Sequence, residues 1–481
     1  MSLFRRVQLC AVATLFAVGC QSTGPRTASF PHSKSGAVRV ETATNSVTSA
    51  ARSPGPSSDI VSQIKPVTHR EESSELSLPQ LVADVQARNP SLQAMISAWQ
   101  SAAQRYPQVV SLDDPMFSSI AAPASFDNDE LESAYALQGG QKLPWFGKRA
   151  ARGRQARAET ASAFHEVQDS RLRLVAITQT AYFDYYLVRR QRELIDQNVV
   201  ILRQFRDTAD AKYRASQVTQ QDLLQADVEL IELERRQIEL ERMNRVAVAR
   251  INTLLRVPPY APLAAPPHKL EIPPGQFNPE LLQQLAIAQR PDLTSIAAQV
   301  RAEQAAVAVA MKAYYPDVEF FGRYDTFWQP SSTQGDLRGQ VGVNLNMPLY
   351  RGRLNAAVRE AMFRVSQRRS EYEQRVLDIQ YEVVTAYEQL EESRRTLRLF
   401  SERLIPVAEQ NVSAARANYE ANTSSFLELA TAQRQLVTLR EEQEAALAMF
   451  HTRLAELERA TGGPVLTEVT AEEVRRPPAD G

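Results

Sequence analysis

The sequence predicts a mainly α-helical chain in which a strand pair followed by a long coiled-coil hairpin occurs twice. Three observations lead there. An ordered series of residues recurs at a separation of about 200, and apolar residues step by three and four over many turns. Just before each such run the apolar period switches to two. Gly is scarce, 17 of 481 residues against a usual share of about 7%, which argues against Gly-rich β architecture and leaves room for long helices. Lys+Arg 55 against Asp+Glu 56 gives a net charge of −1, so no basic field points to nucleic acid.

The N-terminus reads as an address. Arg5 and Arg6 precede an apolar run, Val7 to Val18, and a small-residue exit at Gly19, as in a secretory signal peptide over residues 1–19. The run is shorter than the ~20 residues a spanning helix needs. Ala17-Val18-Gly19-Cys20 resembles a bacterial lipobox, in which Cys20 becomes the lipidated, palmitate-bearing first residue of the mature chain. Gln21 in place of Asp points to the outer membrane within that class. Cys10 and Cys20 are the two cysteines of the chain, which leaves no disulfide framework or Cys-based zinc site downstream. Residues 20–74 are rich in Ser, Thr, Ala and Pro and read as a flexible tether. After Cys20 no stretch reaches the length of a transmembrane helix, so a membrane-spanning mature chain must span with strands.

The duplication divides the remainder into 75–260 and 277–463, with a Pro-rich joint between them and a short tail at 464–481. Asn89-Pro90-Ser91-Leu92 recurs as Arg290-Pro291-Asp292-Leu293, each time within a helix-like segment. Tyr106-Pro107 recurs as Tyr315-Pro316, Leu143-Pro144 as Met347-Pro348, Ala181-Tyr182 as Ala386-Tyr387, and Tyr213 as Tyr419.

Strands are expected at about 109–143 and 317–349. Val341, Val343, Leu345 and Met347 alternate with polar or small residues, as do Val318, Phe320, Tyr324 and Trp328. Leu131 to Gln138 alternates more weakly, and Val109 to Ile120, with Asp113-Asp114-Pro115 inside it, is the poorest of the four. Lengths near ten residues with one apolar face fit transmembrane strands, although an edge hairpin of a soluble domain alternates in the same way. Four strands cannot close a membrane barrel, which takes at least eight, and open edges in lipid leave backbone groups unsatisfied. The chain must oligomerise if these strands enter a membrane.

Helices follow at about 147–256 and 352–461. Leu174, Ala181, Val188, Ile195 and Leu202 step by seven, matched by Ile379, Ala386, Ser393, Phe400 and Val407. Val376, Val383, Leu390, Leu397 and Leu404 run alongside. The returning arms carry Leu223, Leu230, Gln237, Asn244 and Ile251 against Leu429, Leu436, Gln443, Phe450 and Leu457. Each half is therefore an antiparallel hairpin whose first arm is on the order of 100 Å long at 1.5 Å per residue.

Together, the Gln141-to-Arg149 stretch, the two tips after Tyr213 and Tyr419, and the Arg-Pro-Asp-Leu and Leu-Pro repeats resemble the TolC-like outer-membrane efflux family over residues 76–463. The resemblance implies a homotrimer whose twelve strands form an outer-membrane barrel and whose helices form a hollow periplasmic α-barrel. It implies a passive duct joined by a periplasmic adaptor to an inner-membrane pump. It also implies adaptor docking at the tips, where Ser216 and Asn422 replace the family's turn glycine and Thr219 and Ser425 follow. Capping of the returning helices explains Thr219 and Ser425 equally well. Glu428 stands where the family carries an acidic residue near the periplasmic entrance. A ring of three would favour cations, while a solvated first-turn carboxylate is the plainer reading. Trp145 and Phe146 suit either an aromatic girdle or packing at the strand-to-helix junction.

No catalytic constellation, P-loop or Rossmann fingerprint is present in the sequence, and His32, His69, His165, His268 and His451 have no metal-ligand spacing. The expectation is a non-enzymatic efflux duct without cofactor. Two rivals stand beside it: a coiled-coil envelope lipoprotein acting as a spacer, and the same duct serving protein secretion. The Leu-Pro-Trp-Phe-Gly-Lys-Arg stretch resembles heavy-metal efflux members of the family.

Overall fold

The computed structural model describes residues 75–121, 135–273, 277–326 and 339–465. Cys20, the signal and tether segments to residue 74, the expected strand residues Leu131, Ser133 and Trp328, and residues 466–481 lie outside them.

In chain order the first repeat runs α1 (Leu78–Arg88), α2 (Pro90–Ala103), α3 (Arg105–Val110), β1 (Met116–Ala121), β2 (Tyr135–Leu143), α4 (Lys148–Arg214) and α5 (Gln220–Leu254). The second runs α6 (Pro279–Gln289), α7 (Pro291–Lys312), β3 (Asp317–Thr326), β4 (Gly339–Asn346) and α8 (Arg351–Leu399). A π turn (Phe400–Leu404), α9 (Ile405–Glu420) and α10 (Phe426–Thr461) complete it. The four strands make one antiparallel sheet in the order β1-β2-β3-β4.

The Asn89-Pro90 and Arg290-Pro291 motifs mark breaks between helices, not helix interiors. Asn89 and Arg290 sit in extended conformation at the N-caps of α2 and α7, and the following prolines occupy first-turn positions that need no N–H partner. Asn89 Oδ1 caps α2 by accepting from the Ser91 N–H at 2.9 Å. The short helices cover the long rods at mid-height. Leu81, Val85 and Leu92 pack on Leu174, Tyr182 and Tyr186 of α4, and Leu282, Ala286 and Leu293 on Ile379, Val383 and Leu390 of α8.

The first candidate strand is shorter than its hydrophobic pattern. Val109 and Val110 close α3, and β1 begins at Met116. Asp113-Asp114-Pro115 occupies the connection, where a missing N–H and two carboxylates cost least.

The α4 seam is as expected: Leu174, Ala181, Val188, Ile195 and Leu202 are all buried. On the second repeat the seam slips. Leu397 is buried, but Leu404 and Val407 are exposed and Ile405 and Ala408 take their place. The cause is Pro406, which has no N–H for the Glu402 carbonyl and whose ring crowds it; the helix widens into the π turn and gains one residue. The duplication records the insertion. Ala386 lies 205 after Ala181 (386 − 181), whereas Tyr419 lies 206 after Tyr213 (419 − 213).

The returning arms differ. On α10, Leu429, Leu436, Phe450 and Leu457 are buried, whereas on α5 the expected stripe is largely half-buried and the inner face runs through Ala226, Glu229, Leu240, Ala247 and Ile251. Among the described residues no helix is long and apolar enough to cross a membrane.

Candidate functional site

The two faces of the sheet differ in character. Register places Leu137, Tyr324 and Gly339 on one face in a row, then Phe117, Gly139, Gly322 and Val341, then Gln141, Phe320 and Val343, then Leu143, Val318 and Leu345. Apart from Ser119 and Gln141 that face is apolar, and it is bare: Phe117 is 83% and Val341 94% exposed. The opposite face is mostly polar, with Gln138, Lys142, Glu319, Arg323, Asp325, Gln340, Asn344 and Asn346 on β2 to β4, and with Met116 and Ile120 of β1 as apolar exceptions. On this polar side Phe321 lies over Gly342, where a Cβ would come within 2.3 Å of the ring. β1 and β4 are the two edges of the sheet among the described residues.

All the helices attach at one end of this sheet, and a buried ion pair fixes the join. Lys148, the first residue of α4, donates from Nζ to Asp317 Oδ1 at 2.7 Å and to the Tyr315 carbonyl at 2.8 Å. Asp317 also accepts from the Trp145 N–H at 3.2 Å. The turn before α4 needs Gly147 at φ 83°, a conformation that strains other residues. Trp145 stacks on Tyr315 with centroids 6.1 Å apart, whereas Phe146 is 85% exposed, so of the two aromatics the tryptophan packs and the phenylalanine does not.

Below it, Arg290 is buried and binds Asp292 at 2.7 Å, Glu382 and the Ala460 carbonyl, and Arg375 bridges the same two carboxylates. Burial alone would push the Asp292 and Glu382 carboxyls up. Hydrogen bonds and charge from the two guanidiniums outweigh it and hold both below their ordinary range.

At the far end the two tips share one turn geometry. Ser216 and Asn422 adopt φ 58° and 60°, the left-handed conformation, at the positions after the helix ends. Thr219 and Ser425 stand at the N-caps of α5 and α10, yet neither side chain makes a capping hydrogen bond. Glu428 lies exposed in the first turn of α10. Its carboxylate has no ion pair among the described residues.

The sequence reading missed the residue that joins the tips. Lys212, in the last turn of α4, reaches the second hairpin, donating to the carbonyls of Tyr419 and Glu420 and to Asn422 Oδ1 at 2.7 Å. Its ammonium lies 4.5 Å from the Tyr419 ring centroid. Its place one residue before the repeated Tyr213 was the available signal. Tyr419, Phe426 and Leu429 fill the core beneath it.

Among the described residues no group of three or more His, Cys, Asp or Glu could hold a metal ion.

Residues 282–463 match the family model described as outer membrane efflux protein. The chain is 26% identical over 198 residues to the cobalt-zinc-cadmium resistance protein CzcC of Cupriavidus metallidurans, which covers 40% of this chain and 45% of that one, less than half its length. It is 24% identical over 353 residues to the pyoverdine export outer membrane protein OpmQ of Pseudomonas aeruginosa, covering 70% of each. In fold it is similar to the outer membrane protein VceC of Vibrio cholerae, with a TM-score of 0.68 at 18% identity, covering 80% of this chain and 96% of that one.

Proposed function

The chain belongs to the TolC-like outer membrane efflux family, and on that premise we propose that it is the passive outer-membrane duct of a tripartite efflux system. Three copies contribute four strands each to a twelve-stranded barrel, and their helices line a periplasmic tunnel. A periplasmic adaptor docks at the tips, and an inner-membrane pump drives export. Residues 1–19 direct secretion, Cys20 anchors the chain in outer-membrane lipid, and residues 20–74 tether the repeats at 75–260 and 277–463, with a tail at 464–481.

The single observation that carries this reading is the four-stranded sheet with one bare, mainly apolar face, one mainly polar face and two edges that have no further strand among the described residues. An apolar face needs lipid and a polar face needs water. Edges in lipid need further strands. A spacer lipoprotein has no use for such a sheet. The names of the two relatives, one of metal resistance and one of pyoverdine export, support small solutes over proteins as cargo.

Ser216, Thr219, Asn422 and Ser425 form the docking tips. Glu428, exposed at the start of α10, forms a ring of three carboxylates that favours cations at the entrance. The test is conductance of the purified full-length protein in planar bilayers, with Glu428→Gln beside it. Cation-preferring channels whose preference falls in the variant are expected. Unchanged preference removes the ring, and absence of any conductance removes the duct.

A further inference from the structure

A crevice of about 440 Å³ opens where the sheet meets the rods, between the first turns of α4 and α8, the end of α7 and the ends of β3 and β4. Its charged lining is Lys148, Arg152 and Arg353 against one carboxylate, Asp317. That carboxylate is already committed to Lys148 and the Trp145 N–H. Arg152 and Arg353 are left, and among the described residues neither has a carboxylate partner or a hydrogen bond. Two exposed guanidiniums thus line one recess whose single carboxylate is already paired with Lys148.

The surroundings raise the potential further. Residues 148–159 and 351–364 hold nine Lys and Arg against Glu159 and Glu360, in a chain whose net charge is −1. Neither α4 nor α8 has an acidic residue in its first turn or a side-chain cap, so both helix dipoles add positive potential at the same place. The rim is apolar and exposed: Met347, Leu349 and Tyr350 project at 67%, 74% and 79% exposure.

We propose that this crevice is a binding site for a phosphate oxyanion, held between Arg152 and Arg353. Guanidinium forks match phosphate oxygens in pairs, and a shared oxyanion relieves the repulsion of the two cations. The chemistry fits a phosphodiester headgroup of the membrane, whose glycerol and acyl ends would meet the apolar rim, and equally a free phosphate. The headgroup source rests on the proposed reading that the sheet lies in lipid, because the crevice then sits at the bilayer boundary.

The experiment uses the full-length protein and Arg152→Gln/Arg353→Gln, a pair that leaves the Lys148–Asp317 join intact. Inorganic phosphate is titrated calorimetrically in neutral detergent. Retention of phosphatidylglycerol over phosphatidylcholine is read by native mass spectrometry from mixed nanodiscs. The wild type is expected to bind phosphate, and to retain phosphatidylglycerol about tenfold over the zwitterionic lipid, with both lost in the double variant. Phosphate binding without lipid preference supports the site and assigns it to a free anion. Absence of phosphate binding by the wild type, or binding unchanged in the double variant, overturns it. Bilayer conductance of both proteins is recorded alongside, so that failure of the duct reading is seen independently of failure of this site.

Discussion

His451, on α10, stacks on Phe183 with centroids 5.1 Å apart and meets the edge of Phe450, and its Nε2 is buried without a partner. Burial pushes its pKa down from 6.5 to about 4. As pH falls below 6.5 an unfolded chain takes up a proton on this ring, whereas the folded chain resists until about 4, so stability declines across that interval. The decline is at most about 3 kcal/mol at ~1.4 kcal/mol per pH unit. Thermal melts of His451→Phe should lose this slope while keeping the ring stack. The Arg290 cluster also loses stability in acid, in a lower pH window, through its carboxylate partners. Asp292 and Glu382 are held below 3.8 and 4.5, so their contribution is present above those values and lost as pH falls through the depressed ones. Arg290→Met leaves two carboxylates that Arg375 alone must hold, at a cost of about 3 kcal/mol in denaturant unfolding, and it flattens the acid limb below about pH 4. The Arg-Pro-Asp-Leu repeat was visible in the sequence as a motif. Its partners Arg375 and Glu382 were not, because they lie 83 and 90 residues beyond Asp292 and only the fold brings them near.

At the scale of elements, heptad spacing was enough to place the long rods, since α4 keeps one unbroken seam over 67 residues. The same spacing failed after Leu397, where periodicity assumes constant helical pitch and Pro406 breaks that assumption. If the π turn exists to absorb one extra residue, removing that residue should be tolerated there and nowhere nearby. Deleting Ser401 together with Pro406→Ala should restore a regular helix with Ile405 and Ala408 still facing inward, and keep stability within about 1 kcal/mol. Deleting Glu388 instead rotates everything that follows by about 100° and turns Leu390 and Leu397 away from the core, at more than about 4 kcal/mol. Circular dichroism melts of the two deletions distinguish these outcomes. The strands were legible from alternation where one face is apolar, as in β3 and β4. The first was misplaced because Val109 and Val110 extend the apolar pattern into what is the end of α3.

For the whole molecule, the two layers leave matching edges. In the sheet, β1 and β4 are the outer strands among the described residues. Among the rods, α5 packs on α4, α4 on α10 and α10 on α8, so α5 and α8 stand at the two sides. Each of these outer helices has a second apolar stripe opposite its buried one. On α5 it is Leu224, Val228, Ile231 and Ile238, between 51% and 70% exposed, facing away from Ala226, Leu240 and Ala247. On α8 it is Leu377, Tyr381 and Val384, facing away from Ile379, Val383 and Leu390. A helix with apolar stripes on both sides is built to be sandwiched. The two stripes lie on different helices, so in the proposed trimer each copy offers one to the next, a head-to-tail contact that the threefold rotation closes into a ring. In the proposed trimer, α5 of one protomer packs on α8 of its neighbour as β1 pairs with β4, so one interface serves both barrels. Ile231→Lys/Ile238→Lys places two charges on that interface without touching the protomer core. Crosslinking and native mass spectrometry in mild detergent should show the trimer giving way to monomer, with helical content and the protomer's own hairpins retained. Glu234→Lys/Glu241→Lys adds lysines to the flank of the same helix and should leave the trimer intact. If both pairs leave the assembly unchanged, the α5 stripe is not the seam between copies.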